Sequence, residues 1–95
     1  MVRGFRTLKV WGKGQRLTLG LYEATSRFPG HVAYGLTSQL RRCSASIPAN
    51  IAEGCGKSGA SELGRFLLIS TGSASELEYQ LLLAHDLGYL APINT

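Results

Sequence analysis

Leu36, Leu40, Cys43, Ile47 and Ile51 recur at steps of three and four, the spacing that gathers side chains on one face of an α-helix. The same periodicity predicts three helices, over residues 8–26, 32–54 and 60–88. Trp11, Thr18, Leu21, Tyr22 and Thr25 form the core-facing side of the first. The third carries Leu63, Leu67, Ser70, Ala74, Leu77, Leu81, Ala84 and Gly88, a seven-residue repeat that implies left-handed bundle packing. A second stripe through Phe66, Ile69, Leu83 and Leu87 makes this apolar face wider than one partner helix needs. It predicts a further neighbour, either a fourth helix or another subunit. No stretch alternates with the period of a strand, so the fold class is all-α. The chain reads as one domain, residues 1–95, forming an up-and-down antiparallel helical bundle.

Proline and glycine place the boundaries. Arg27-Phe-Pro-Gly30 ends the first helix, because proline disfavours helical geometry in the residue before it. Pro48 falls inside the second helix, where it deprives the Ser44 carbonyl of its amide donor and predicts a bend. Ser44, Ser46 and Asn50 are near enough in sequence to satisfy the freed group. Gly54 and Gly56 are expected at the positive-φ positions that stop the helix, with Ser58 or Gly59 capping the next and Glu62 favourable in its first turn. Gly12, Gly14 and Gly20 each weaken the first helix by roughly 1 kcal/mol relative to alanine, and they imply either close helix contact or simple tolerance. Thr71-Gly-Ser-Ala-Ser75 is a small-residue seam, suited to close backbone approach or to a polar register between subunits. Residues 1–7 read as a short, basic, poorly ordered arm.

The run Tyr34-Gly-Leu-Thr-Ser-Gln-Leu-Arg-Arg42, followed by Ser46-Ile-Pro-Ala-Asn-Ile-Ala-Glu-Gly54, resembles the signature of the small four-helix-bundle proteins encoded by intervening sequences within 23S ribosomal RNA genes. Leu8-Lys-Val-Trp11 and Arg27-Phe-Pro29 resemble the opening of that family. Glu62, Arg65-Phe-Leu67, Gly72-Ser73, Glu76-Leu-Glu78 and Leu87-Gly-Tyr-Leu90 resemble its third helix, so the likeness spans nearly the whole chain. Gly12 and Gly14 depart from it, and the family's fourth helix is expected to be absent from these residues. A related family, the accessory variability determinant of diversity-generating retroelements, implies a homo-oligomer, most plausibly a pentamer, that engages RNA or DNA through basic surfaces.

Composition adds a bound and charge a direction. With 95 residues, 44% hydrophobic and 17% charged, the chain can bury a core, but a marginal one for a monomer. No run of about 18 apolar residues occurs, so no membrane association is expected and the location reads as cytoplasmic. Cys43 and Cys55 stand twelve residues apart, roughly 18 Å along one helix and beyond disulfide reach. They read as free thiols. Residues 1–57 hold nine Lys or Arg against two acids, a net of +7, and residues 58–95 hold one base against four acids, a net of −3. The basic half suits phosphate backbones and the acidic third helix suits a basic face of another subunit.

Catalytic chemistry has little to stand on. Gly56-Lys-Ser58 mimics the end of a phosphate-binding loop, but Ile51 occupies the place of the first required glycine and a helix precedes it. His31 and the His85-Asp86 pair make no triad, and Glu53, Glu76 and Glu78 lack a histidine at i+3 for a bundle metal site. The expected protein is therefore non-enzymatic, without metal or cofactor. Its function reads as binding structured nucleic acid, with an adaptor for a protein partner as the alternative. Lys13, Arg16, Arg41, Arg42 and Lys57 are the expected phosphate contacts. Arg41 and Arg42 leave a helix about 100° apart, so one of them suits a structural role and the other a ligand. No aromatic platform interleaved with basic residues is apparent, which predicts weak sequence preference.

Overall fold

The computed structural model describes residues 4–90, and those residues fold into three helices and no strand. Helix α1 spans Lys9–Thr25, α2 Ser38–Cys55 and α3 Ala60–Asp86. Residues 1–3 of the expected basic arm lie outside the description, as do residues 91–95. Phe5–Thr7 form a 3-10 turn, with the Phe5 ring edge-on to Trp11 at 5.1 Å between centroids, so this part of the arm is packed.

The helices alternate in direction. Running forward along α1, Gly14 meets Ile47 and Pro48, Thr18 meets Ser44, and Tyr22 meets Arg41, so α2 runs backward past it. Running forward along α2, Cys43 bonds to Ser73, Ile47 to Ser70, and Gly54 abuts Phe66 and Leu63. Helix α2 is therefore the middle element, with α1 and α3 packed on its two flanks and only slightly on each other. The result is a flattened body of 46 × 29 × 19 Å.

Its core is the expected α2 stripe clasped from both sides. Leu40, Cys43, Ile47 and Ile51 form one cluster with Leu21 from α1 and Leu77 and Ala84 from α3; Leu8, Trp11, Phe28, Leu36, Leu81 and Leu90 close its edges. On α3 the seam keeps Ser70, Leu77 and Ala84 from its expected positions and adds Phe66 and Gln80. Phe66, Ser70, Leu77, Gln80 and Ala84 are buried, while Leu67 and Ala74 are exposed. At 80 the buried group is an amide that bonds to Glu76, which apolarity alone does not reveal, while the expected Ser70 donates its hydroxyl to the Ile47 carbonyl. Leu67, Ile69 and Leu82 on α3 and Leu87 just past its end, with Val10 and Leu17 on α1, remain exposed.

Two boundary expectations need correction. The second helix does not begin at Val32: Gly30–Val32 is a 3-10 turn, Ala33–Thr37 is a π-helical segment, and Gly35 inside it has non-helical φ −110° and ψ −105°. Helix α2 then carries Pro48 inside one continuous element, as expected, and the non-helical backbone lies upstream at Gly35. The Ser44 carbonyl is served by the Thr18 hydroxyl of α1 at 3.0 Å, while Ser44, Ser46 and Asn50 bond to Arg41, Cys43 and Ser46. Finally, Gly54 and Gly56 do not carry positive φ: Gly56 is right-handed helical at φ −83°, and the left-handed residues are Gly59 and Gly88.

Gly88 closes α3 in a Schellman arrangement, with Tyr89 N–H donating to the Ala84 carbonyl and Gly88 N–H to His85. That turn lays the Tyr89 ring against Phe28 at 5.7 Å and His31 at 6.4 Å. Gly54 has a different reason to be glycine. A Cβ there would lie 2.9 Å from the Phe66 Cβ and 3.1 Å from Leu63 Cδ1, and the first of these is the stem of a buried side chain that cannot swing aside. Gly54→Ala gains about 1 kcal/mol of helix propensity but forces α3 away from α2, an overpacking cost of about 1–3 kcal/mol. A net loss of thermal stability is expected; an unchanged or raised Tm would show that the contact yields.

Candidate nucleic-acid interface

Lys13 and Arg16 lie on exposed positions of α1, and Lys9 extends the same flank one turn earlier. Steps of four and three residues keep all three on one side of the helix, opposite the buried Gly14, Thr18, Leu21 and Thr25. Among the described residues none of the three has a carboxylate within salt-bridge distance. Lys9 escaped the sequence reading, although its spacing from Lys13 and Arg16 marks it as their neighbour.

Arg41 and Arg42 divide the two roles. The Arg41 Nε donates to Thr25 Oγ1 at 2.8 Å, its Nη2 donates to the Tyr22 carbonyl at 3.1 Å, and its guanidinium lies 4.6 Å from the centre of the Tyr22 ring. It thus clasps the last turn of α1, adding a charged donor to a Tyr22 carbonyl that also accepts from the Ser26 amide. The partners are a hydroxyl, a carbonyl and a ring, and no carboxylate among the described residues. Arg42 is exposed and donates only to Ser38 Oγ, at 3.2 Å. Lys57 stands apart, roughly 22 Å further along α2 than Arg42. It is 3.9 Å from Glu53 and 5.8 Å from the Phe66 ring centre. The five expected contacts therefore occupy three places: the outer flank of α1, the α1–α2 junction and the far end of α2. Arg65 is held by Glu62 at 3.0 Å, a hydrogen bond that keeps the Glu62 carboxyl below its ordinary value.

Two grooves flank α2, and Arg42 lines both. The first, about 520 Å³, lies against α1 and is bordered by Tyr22, Tyr34, Thr37, Ser38, Arg41, Arg42 and Ala45. Here the expectation of no aromatic platform fails. Tyr22, read as core-facing, is 43% exposed, and Tyr34 is 100% exposed. Tyr22 is brought in by tertiary packing, which no local pattern shows. Tyr34 stands beside Ser38 and Arg41 across the Gly35 break, a placement that regular helical spacing does not give.

The second groove, about 410 Å³, separates α2 from α3 and is lined by Gln39, Arg42, Cys43, Ser46, Ser73, Glu76 and Gln80. Cys43 is a free thiol whose Sγ donates to the Ser73 carbonyl at 3.1 Å. Burial, and then the Glu76 carboxylate, push its pKa above the ordinary value, so the group favours the neutral thiol and disfavours nucleophilic chemistry. Cys55 is also free and buried. Among the described residues no three His, Cys, Asp or Glu side chains cluster in a way that would hold a metal ion. No described helix is long and apolar enough to cross a membrane.

A family model described as 23S rRNA-intervening sequence protein matches residues 6–94. No curated protein matches the chain.

Proposed function

Since the chain belongs to the 23S rRNA-intervening sequence protein family, we propose that it is a non-enzymatic, self-associating module that binds structured nucleic acid through phosphate contacts. The observation that carries this reading is the flank of Lys9, Lys13 and Arg16, exposed on α1 without carboxylate partners among the described residues. Unpaired cations spaced along one rigid helix release counterions when they meet a polyanion. Arg42 adds a fourth. Arg41 contributes charge while its main work is structural, and Lys57 contributes less because Glu53 already faces it. Self-association is supported by the exposed leucines of α3 and by its acidic residues Glu76, Glu78 and Asp86, which complement a basic flank on a second copy. A ring of five is the stoichiometry that the resemblance implies.

The test is a salt titration of binding to a structured RNA and to duplex DNA, with light scattering on the same samples. Lys13→Ala and Arg16→Ala are each expected to lower the salt slope by about one unit on every sequence, with melting unchanged. Absence of salt-dependent binding to both nucleic acids overturns the proposal and leaves the basic flank to a protein partner.

A further inference from the structure

We infer that the groove before α2 is a subsite for one unstacked base of a single strand, with the base lying on Tyr34 and its neighbouring phosphate on Arg42. The inference rests on the nucleic-acid reading above and adds to it a preferred element, an unpaired nucleotide such as a structured nucleic acid presents in its single-stranded loops.

Three observations meet in this groove. Tyr34 is 100% exposed, although a ring of its size ordinarily contributes to a core or an interface. It sits in the π-helical segment Ala33–Thr37, where the Gly35 break takes it off the regular course of α2. Arg42 lines the same groove, and so does Arg41, whose guanidinium is fixed over Tyr22 by two hydrogen bonds and therefore offers its positive charge from a set position. Thr37 is only 7% exposed, and its Oγ1 has no hydrogen-bond partner although it lines this groove. A buried hydroxyl left without a partner is costly, and rotation of the Thr37 side chain toward the groove would let a base edge or a sugar hydroxyl satisfy it.

The combination selects among ligands. A duplex keeps its bases stacked and presents phosphates, so it engages Arg42 but leaves Tyr34 and Thr37 unused. An acidic peptide likewise accounts for the arginines alone. A splayed single strand presents a π-face, polar edges and phosphate together, the set that aromatic side chains beside cations recognise.

Binding of the full-length chain to a labelled oligo-uridylate and to a blunt RNA duplex, measured by anisotropy across salt concentrations, tests this. Tyr34→Ala is expected to weaken oligo-uridylate binding by about tenfold and to leave duplex affinity, salt slope and melting unchanged. Tyr34→Phe is expected to restore the affinity. Arg42→Ala lowers the oligo-uridylate salt slope by about one unit. If Tyr34→Ala leaves oligo-uridylate affinity intact, or weakens both ligands equally, the stacking subsite is wrong while the phosphate reading stands. If the unmodified protein binds neither ligand in a salt-dependent way, the broader reading fails and the subsite with it.

Discussion

Leu40→Ala is expected to lower the unfolding free energy by about 2–5 kcal/mol, the range for truncating a buried leucine. Leu40 is 0% exposed and belongs to the cluster in which Leu21 of α1 and Leu77 and Ala84 of α3 also lie. Helix α2 is clasped on two flanks, so movement of one neighbour into the cavity is opposed by the packing of the other. A domain of this size has only about 5–15 kcal/mol in total, and the variant is expected to be marginal at 37 °C. Urea denaturation, with the m-value held as the check on two-state behaviour, gives the number. Leu68→Ala supplies the control: that side chain is 74% exposed, and its loss is expected to stay within about 0.5 kcal/mol. Equal effects at the two positions would contradict the assignment of α2 as the middle helix.

What the sequence made legible, and what it hid, follows from the range of each interaction. Helix number, the α2 core stripe and the turn at Arg27-Phe-Pro-Gly30 were legible because they depend on residues within one or two turns of each other. The α3 seam was half legible. Ser70, Leu77 and Ala84 were placed correctly and Leu81 packs at the core's edge, but Leu67 is exposed and Gln80 was missed, since hydropathy cannot anticipate that Gln80 is buried against Glu76. The true start of α2 was hidden for a related reason: nothing local in Ala33-Tyr-Gly-Leu-Thr37 opposes a helix except one glycine, which a helix tolerates. Among the proposed contacts, charge located Lys13 and Arg16 but did not separate Arg41 from Arg42. The difference lies in Thr25 and the Tyr22 carbonyl, on another helix.

The Thr18 hydroxyl offers the sharpest test of how the family-like segment is held. Pro48 has no N–H, so the Ser44 carbonyl, on a residue 0% exposed, lacks its ordinary donor. Thr18 Oγ1 lies 3.0 Å from it and also 3.0 Å from the Gly14 carbonyl. One proton serves two acceptors here, but Gly14 lies within α1, where its carbonyl has the Thr18 amide, and Ser44 has no such alternative. Thr18→Val keeps the shape and removes the donor, so it is expected to cost about 1–3 kcal/mol, the penalty of a buried acceptor left unpaired. Pro48→Ala returns an amide to the same carbonyl from within α2. In that background the Thr18→Val cost is expected to fall by about 1 kcal/mol or more, a coupling that a double-mutant cycle in urea resolves. Thr18→Ser, which retains the hydroxyl, is expected to lose less than Thr18→Val in the Pro48 protein. An identical Thr18→Val cost in both backgrounds would mean that the hydroxyl acts through its own helix alone, and that the proline's freed carbonyl is tolerated without a partner.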